Sequence, residues 1–194
     1  MKKALIVPAI LLLLTSASAE SRLFVSLGAG FMRPADPGFR QVYGNEALLP
    51  EVSAALRLYK GLCLTAGAGK ASEEGRTPEL GLVTKANQGY ISVGLGYLLR
   101  ISEGLSVDVN AGFAGMSCSE EALGAMIQGK GSGYKAEAGI FLMEEDGRAF
   151  LGLKLGYLSA RVSDLEPQIA GPQSFKLGGP KIALCFGLQL FGDN

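Results

Sequence analysis

Histidine and tryptophan are both absent from the 194-residue chain. Without histidine there can be no Ser-His-Asp triad, no histidine general base and no histidine ligand for zinc. Cysteine is scarce. Cys63, Cys118 and Cys185 are an odd number, which excludes a fully paired set of intramolecular disulfides, and their spacing is unlike a C-x-x-C metal or redox site. They read as small buried hydrophobes. Charge of one sign is not in excess: 18 Lys and Arg face 18 Asp and Glu, so the clustered basic surplus expected of a nucleic-acid binder is missing. Although 48% of residues are hydrophobic, no stretch beyond the first twenty is continuously apolar. A membrane-spanning helix needs roughly 20 apolar residues in succession, so the mature chain has none.

The one apolar run reads as an export signal. Lys2 and Lys3 form a basic start, residues 4–14 an apolar stretch, and Ala17-Ser18-Ala19 a small-x-small cleavage site. Cleavage is expected between Ala19 and Glu20, dividing the chain into a signal peptide (1–19) and one domain (20–194). The apolar stretch is too short for a membrane anchor, and no cysteine follows the site to receive a lipid. Removing Lys2 and Lys3 leaves 16 basic against 18 acidic residues, a mildly acidic mature protein.

Beyond the signal, segments of period-2 hydrophobicity alternate with polar stretches rich in Gly, Pro, Glu and Asn. Period 2 marks a strand with two unlike faces. Eight such strands are legible, over 23–32, 51–59, 62–70, 91–99, 105–113, 134–142, 151–157 and 181–190. In each, one face is bulky, as in Ile91, Val93, Leu95, Tyr97 and Leu99, and the other is small or polar, as in Ser92, Gly94 and Gly96. Three connections are short: Tyr59-Lys60-Gly61, residues 100–104, and a few residues around Asp146-Gly147. Four are long, at about 33–50, 71–89, 115–133 and 161–179. Face parity requires an odd turn between the second and third strands, with Gly61 left-handed, and an even turn between the sixth and seventh. A two-residue Asp146-Gly147 turn would set Glu145 beside Arg148.

Short turns at one end and long loops at the other predict an all-β fold: an eight-stranded antiparallel up-and-down transmembrane barrel. The interior of eight strands is just wide enough for side chains. The Gly, Ala and Ser face therefore fits inside, and the bulky face points to lipid. A closed barrel also pairs every backbone group, as a bilayer demands. Phe31, Phe113, Tyr134 and Tyr157 fall on the bulky face at the long-loop end and are expected to form an aromatic girdle. Tyr97 lies near the other end. The expected interior polar network is Arg57, Asp108, Lys135, Glu137 and Lys154, with Glu137 and Lys154 within cross-strand reach. Opposite charges there can neutralise one another away from bulk water, as a structural plug or as the lining of a narrow pore.

Other motifs carry nothing. Gly67-Ala68-Gly69-Lys70 lacks the hydroxyl residue and the spaced glycine of a phosphate loop. Asp164 with Glu166, and the run Glu144-Glu145-Asp146, read as solvated loop charge rather than paired catalytic carboxylates. No cofactor, metal or catalytic residue is implied.

The layout is similar to the OmpA/OmpX/opacity-protein-like outer-membrane β-barrels, and closest to their relatives with an outer-membrane β-barrel domain. The residues that carry the likeness are Phe39-Arg40-Gln41-Val42-Tyr43-Gly44, then Leu56-Arg57-Leu58-Tyr59-Lys60-Gly61-Leu62, Gly75-Arg76-Thr77 and Gly94-x-Gly96-Tyr97. It spans nearly all the mature chain, describes a fold and transfers no active residue. One departure is the C-terminus: Phe191, which parity places on the inner face, is followed by Gly192-Asp193-Asn194, whereas such barrels usually end on an aromatic of the apolar face. The resemblance implies a cell outer-membrane protein, exported through the periplasm, with outer-membrane lipid and the barrel-assembly machinery as partners. It implies a non-enzymatic structural or surface-interaction role, with any surface ligand held by the long loops. The rival readings are a narrow channel through the charged interior, and a soluble periplasmic barrel with its apolar rows inward around a ligand.

Overall fold

The computed structural model describes residues 22–144, 148–166 and 175–190, less the side chains of Ser163 and Asp164. The expected signal peptide with its Ala19/Glu20 site, the expected Asp146-Gly147 turn with Glu145, and Phe191 lie outside the described residues. Eight antiparallel strands close on themselves in sequence order: β1 (Leu23–Met32), β2 (Ala47–Tyr59), β3 (Leu62–Arg76), β4 (Val83–Arg100), β5 (Leu105–Ala122), β6 (Ala125–Met143), β7 (Ala149–Glu166) and β8 (Phe175–Gln189). β8 pairs with β1 through nine registered residues, from Phe24 opposite Gln189 to Met32 opposite Lys181.

The faces fall as parity requires. Leu27, Ile91, Leu95, Phe113, Leu155 and Leu184 are more than half exposed on the outer surface. Their strand neighbours Ser26, Ser92, Lys154, Ala183 and Cys185 are buried inside. The apolar rows do not point inward, which removes the soluble ligand-filled barrel: its core would have to be the surface seen here. Among the described residues no helix is long and apolar enough to cross a membrane.

The turn between β2 and β3 departs from the odd, three-residue one that parity required: Tyr59 pairs with Leu62, so only Lys60 (φ 45°) and Gly61 (φ 97°) turn, both left-handed as a two-residue hairpin favours. Parity is recovered inside β2, where Leu58 is the extra residue of a bulge that sets Arg57 opposite Cys63. The β6–β7 ladder runs down to Met143 opposite Phe150.

The long connections differ from the loops expected. β3 and β4 continue as a hairpin to Arg76 opposite Val83, and β5 and β6 to Ala122 opposite Ala125. Leu123 and Gly124 close the second hairpin at positive φ. β7 runs to Glu166 and β8 begins at Phe175. The first connection contains a seven-residue helix, α1 (Pro37–Tyr43), capped by Asp36, whose Oδ1 accepts from the Phe39 N–H at 2.9 Å. Alternating hydrophobicity ends where the apolar band ends, but the backbone ladder does not need it, so these strands persist through Gly-, Ser- and Lys-rich sequence.

Candidate functional site

The lumen is filled in three layers. Toward the hairpin end, Met32, Leu49, Met116, Leu158, Val162 and Leu177 pack together in an apolar plug. Toward the turn end, Phe24, Phe141 and Phe150 pack edge-to-face, with centroids 5.4 and 6.3 Å apart, beside Cys185. Between them lies a balanced cluster of four charges. Lys135 Nζ donates to Glu137 Oε2 at 2.8 Å, and Lys181 contacts both Glu51 and Glu137. The Tyr90 hydroxyl donates to Glu51 Oε2 at 2.7 Å, and its ring faces both ammonium groups at 5.5 and 5.6 Å. All five side chains are buried. Isolated charges there would be prohibitive, whereas two of each sign with hydrogen bonds can be tolerated.

Glycine makes this geometry possible. Lys181 on β8 meets Glu137 on β6 across β7, and the residue opposite both is Gly156. Glu51 on β2 meets Tyr90 on β4 across β3, where the residue opposite both is Gly69. Glu51 meets Lys181 across β1, whose inner face there carries Gly28 and Gly30. Each link skips one strand: two pass directly over a glycine, and the third runs diagonally over Gly28 and Gly30, past Met32, which lies opposite Lys181. A Cβ at Gly156 would stand 2.6 Å from Glu137 Cγ, and one at Gly69 would stand 2.6 Å from Tyr90 Cε1. Gly156→Val should therefore cost about 1–3 kcal/mol by overpacking alone, read from urea unfolding midpoints in micelles. A midpoint unchanged from wild type would mean that the crossing over β7 is not needed.

The sequence-assigned residues divide. Lys135 and Glu137 are in the cluster. Lys154 is inside but does not meet Glu137: its ammonium donates to Ser53 Oγ at 2.8 Å and Ser26 Oγ at 3.4 Å on the far wall. Register explains this, because Glu137 lies opposite Gly156 and Lys154 opposite Gly139, so the two are diagonal. Asp108 is inside and accepts from Asn110 Nδ2 at 2.9 Å. Arg57 sits apart, at a 210 Å³ recess in the turn-end mouth shared with Arg22, Arg100 and Glu103. Below the cluster a cavity of about 70 Å³ is lined by Ser26, Ser53, Thr65, Asp108, Asn110 and Lys154. That is room for a few waters.

Glu51, Tyr90 and Lys181 were not among the residues assigned from sequence. Glu51 and Lys181 open the segments read as strands, and Tyr90 lies one residue before one. The inner-face parity of each was the available signal. The apolar plug was missed for a related reason, since Leu49, Met116, Leu158, Val162 and Leu177 fall in stretches read as loop or just past a strand end.

At the hairpin end the Phe39–Tyr43 segment is α1, laid over the mouth. The Tyr43 hydroxyl donates to Glu120 Oε1 at 2.7 Å, and Gly75 beneath the helix leaves room for its ring. Burial, together with the adjacent Glu120 carboxylate, pushes the Tyr43 phenol well above its ordinary range, so it remains a donor. On the outer surface Phe31, Phe113, Tyr134 and Tyr157 are all exposed; Phe113 lies opposite Tyr134, and the Tyr134 and Tyr157 rings stack at 6.5 Å. All three cysteines are free, with Cys63 and Cys185 buried and Cys118 partly so.

By sequence the chain matches no protein-family model and no curated relative. By structure it is similar to neisserial surface protein A (TM-score 0.62, 11% identity), over 87% of this chain and 97% of that one. It is similar to Ail, the attachment invasion locus protein of Yersinia pestis, in complex with the heparin analogue sucrose octasulfate (TM-score 0.59, 12% identity), over 88% and 99%. The N-terminal β-barrel domain of Pseudomonas aeruginosa OprF gives a TM-score of 0.55 at 16% identity, over 88% and 98%. The chain thus has the fold of the small eight-stranded outer-membrane barrels.

Proposed function

We propose that the protein is a non-enzymatic barrel of a Gram-negative-type outer membrane, with a structural plug for a lumen and its external contacts made by the protruding hairpins. The observation that carries this reading is the filled lumen. An apolar plug, a neutral ion cluster and an aromatic plug succeed one another along the axis; the four cluster charges engage one another, and Lys154 and Asp108 engage neighbouring hydroxyl and amide groups. Such an interior braces the wall and offers no open aqueous path. The outer apolar rows favour a bilayer, with Phe31, Phe113, Tyr134 and Tyr157 marking one of its boundaries. Delivery would use the signal peptide cleaved between Ala19 and Glu20 and the barrel-assembly machinery. Loops and hairpins on a rigid scaffold are where surface ligands are usually held.

A narrow channel is the second reading, favoured by the small polar cavity beneath the cluster and the recess at Arg57. Planar-bilayer recording separates the two. The plug predicts background conductance from protein whose gel band shifts on boiling and which fractionates with the outer membrane. Reproducible single-channel steps, abolished by neutralising Lys135 and Glu137 together, would overturn it in favour of the channel.

A further inference from the structure

Immediately beyond the stacked tyrosines, toward the hairpin end, the outer surface turns basic on one side only. Arg161 of β7 lies directly opposite Lys176 of β8, and Ser132 of β6 lies opposite Arg161, so the three form one row across three strands. Arg33, just past the end of β1, is held to the next strand by its N–H on the Pro180 carbonyl at 2.9 Å. Lys130 lies one outward position beyond Ser132. Arg33, Lys130, Ser132, Arg161 and Lys176 are all exposed. Among the described side chains no carboxylate forms an ion pair with any of these cations. In the backbone ladder Asp164 lies opposite Lys130. The opposite arc, on β3 to β5, is mixed: there Lys85 pairs with Glu74 at 2.8 Å.

Like charges placed directly opposite on neighbouring strands destabilise a sheet unless something compensates. The row sits at the rim of the apolar band, above the Tyr134 and Tyr157 rings and the outward Leu155 and Ile182. An occupant must therefore be anionic at one end and apolar at the other. Arginine in particular matches a phosphate with its planar fork of donors. Resting on the membrane reading above, we infer that Arg161 and Lys176 form a binding site for the phosphate of an outer-leaflet lipid headgroup, whose acyl chains lie along the tyrosine pair. The opposed cations are then compensated by the lipid, and the side of the barrel bearing β7 and β8 is the side that orders it.

The test uses the full mature chain in neutral dodecyl maltoside micelles. Diphosphoryl lipid A, phosphatidylcholine and inorganic pyrophosphate serve as probes, with bound lipid counted by native mass spectrometry. Wild type should retain the diphosphorylated lipid in preference to phosphatidylcholine. Arg161→Gln/Lys176→Gln should lose about tenfold in apparent affinity for it. Lys60→Gln/Arg100→Gln, which removes cations at the turn end, should bind as wild type does. Equal binding by wild type and the Arg161/Lys176 variant would overturn the site. So would displacement of the lipid by pyrophosphate at comparable concentration, which would mark a site for free phosphate. Folding is followed separately by the heat-shifted band, so a wild-type chain that never shows the shift sinks the membrane reading itself rather than this site alone.

Discussion

Lys181→Met should destabilise the barrel by about 3–5 kcal/mol, the range for removing one partner from a buried ion cluster. Lys181 contacts both Glu51 and Glu137, and its side chain is 1% exposed. Methionine fills similar space, so the loss is one of charge rather than volume. Two buried carboxylates would then share the single ammonium of Lys135, which bonds Glu137 and leaves Glu51 with only the Tyr90 hydroxyl. Adding Glu51→Gln to Lys181→Met should recover a large part of the loss, because one ammonium and one carboxylate then remain in contact. The measurement is equilibrium unfolding by guanidinium in micelles, followed by the heat-shifted band. If Lys181→Met unfolds at the wild-type midpoint, the cluster contributes nothing to stability. If Glu51→Gln deepens the loss instead of relieving it, the charges are not coupled as the geometry requires.

Leu153→Arg should cost about 2–4 kcal/mol in a lipid bilayer, the range for a cation on the lipid face near the midplane. Leu153 is 40% exposed, halfway along the outward row Leu151, Leu153, Leu155, Tyr157. The sign of this experiment is unusual. An exposed leucine of a water-soluble protein tolerates arginine with little change, within roughly 0.5 kcal/mol. The large penalty is expected only if the solvent at that face is hydrocarbon. Ser72→Arg, on the outer surface beyond the apolar band and opposite the uncharged Asn87, provides the control and should cost no more than about 1 kcal/mol. Refolding into phosphocholine vesicles of defined chain length, with urea titration, reads both. Equal tolerance at residues 153 and 72 would mean that the outer apolar band does not face lipid.

Much of this molecule was legible before any coordinates. Side-chain direction in a strand alternates strictly, so a single run such as Ile91, Val93, Leu95, Tyr97 and Leu99 fixes which residues share a face. Volume then decides which face goes inside, because eight strands cannot enclose rows of leucine on every wall. Turn parity added the left-handed Gly61, but it asked for an odd turn where the chain uses a two-residue turn and a bulge at Leu58. The eight strands, their order and the outward aromatics all follow from period, parity and size, which are local properties.

What the sequence could not disclose is what happens between residues that are neither neighbours nor register partners. The Glu137–Lys154 pairing expected from adjacency fails because a barrel lumen lets a long side chain reach the next strand but one, provided that the strand between offers glycine. Lys181 finds Glu137 over Gly156, and Glu51 finds Tyr90 over Gly69. These contacts depend on closure and curvature, which bring three inner faces around one point. The extended hairpins and α1 belong to the same class. Beyond the apolar band hydrophobic alternation fades, and only the tertiary ladder, propagated from the strands below, keeps those residues paired. Local chemistry therefore determined the wall and its two solvents, and the closing of the wall decided who meets whom inside it.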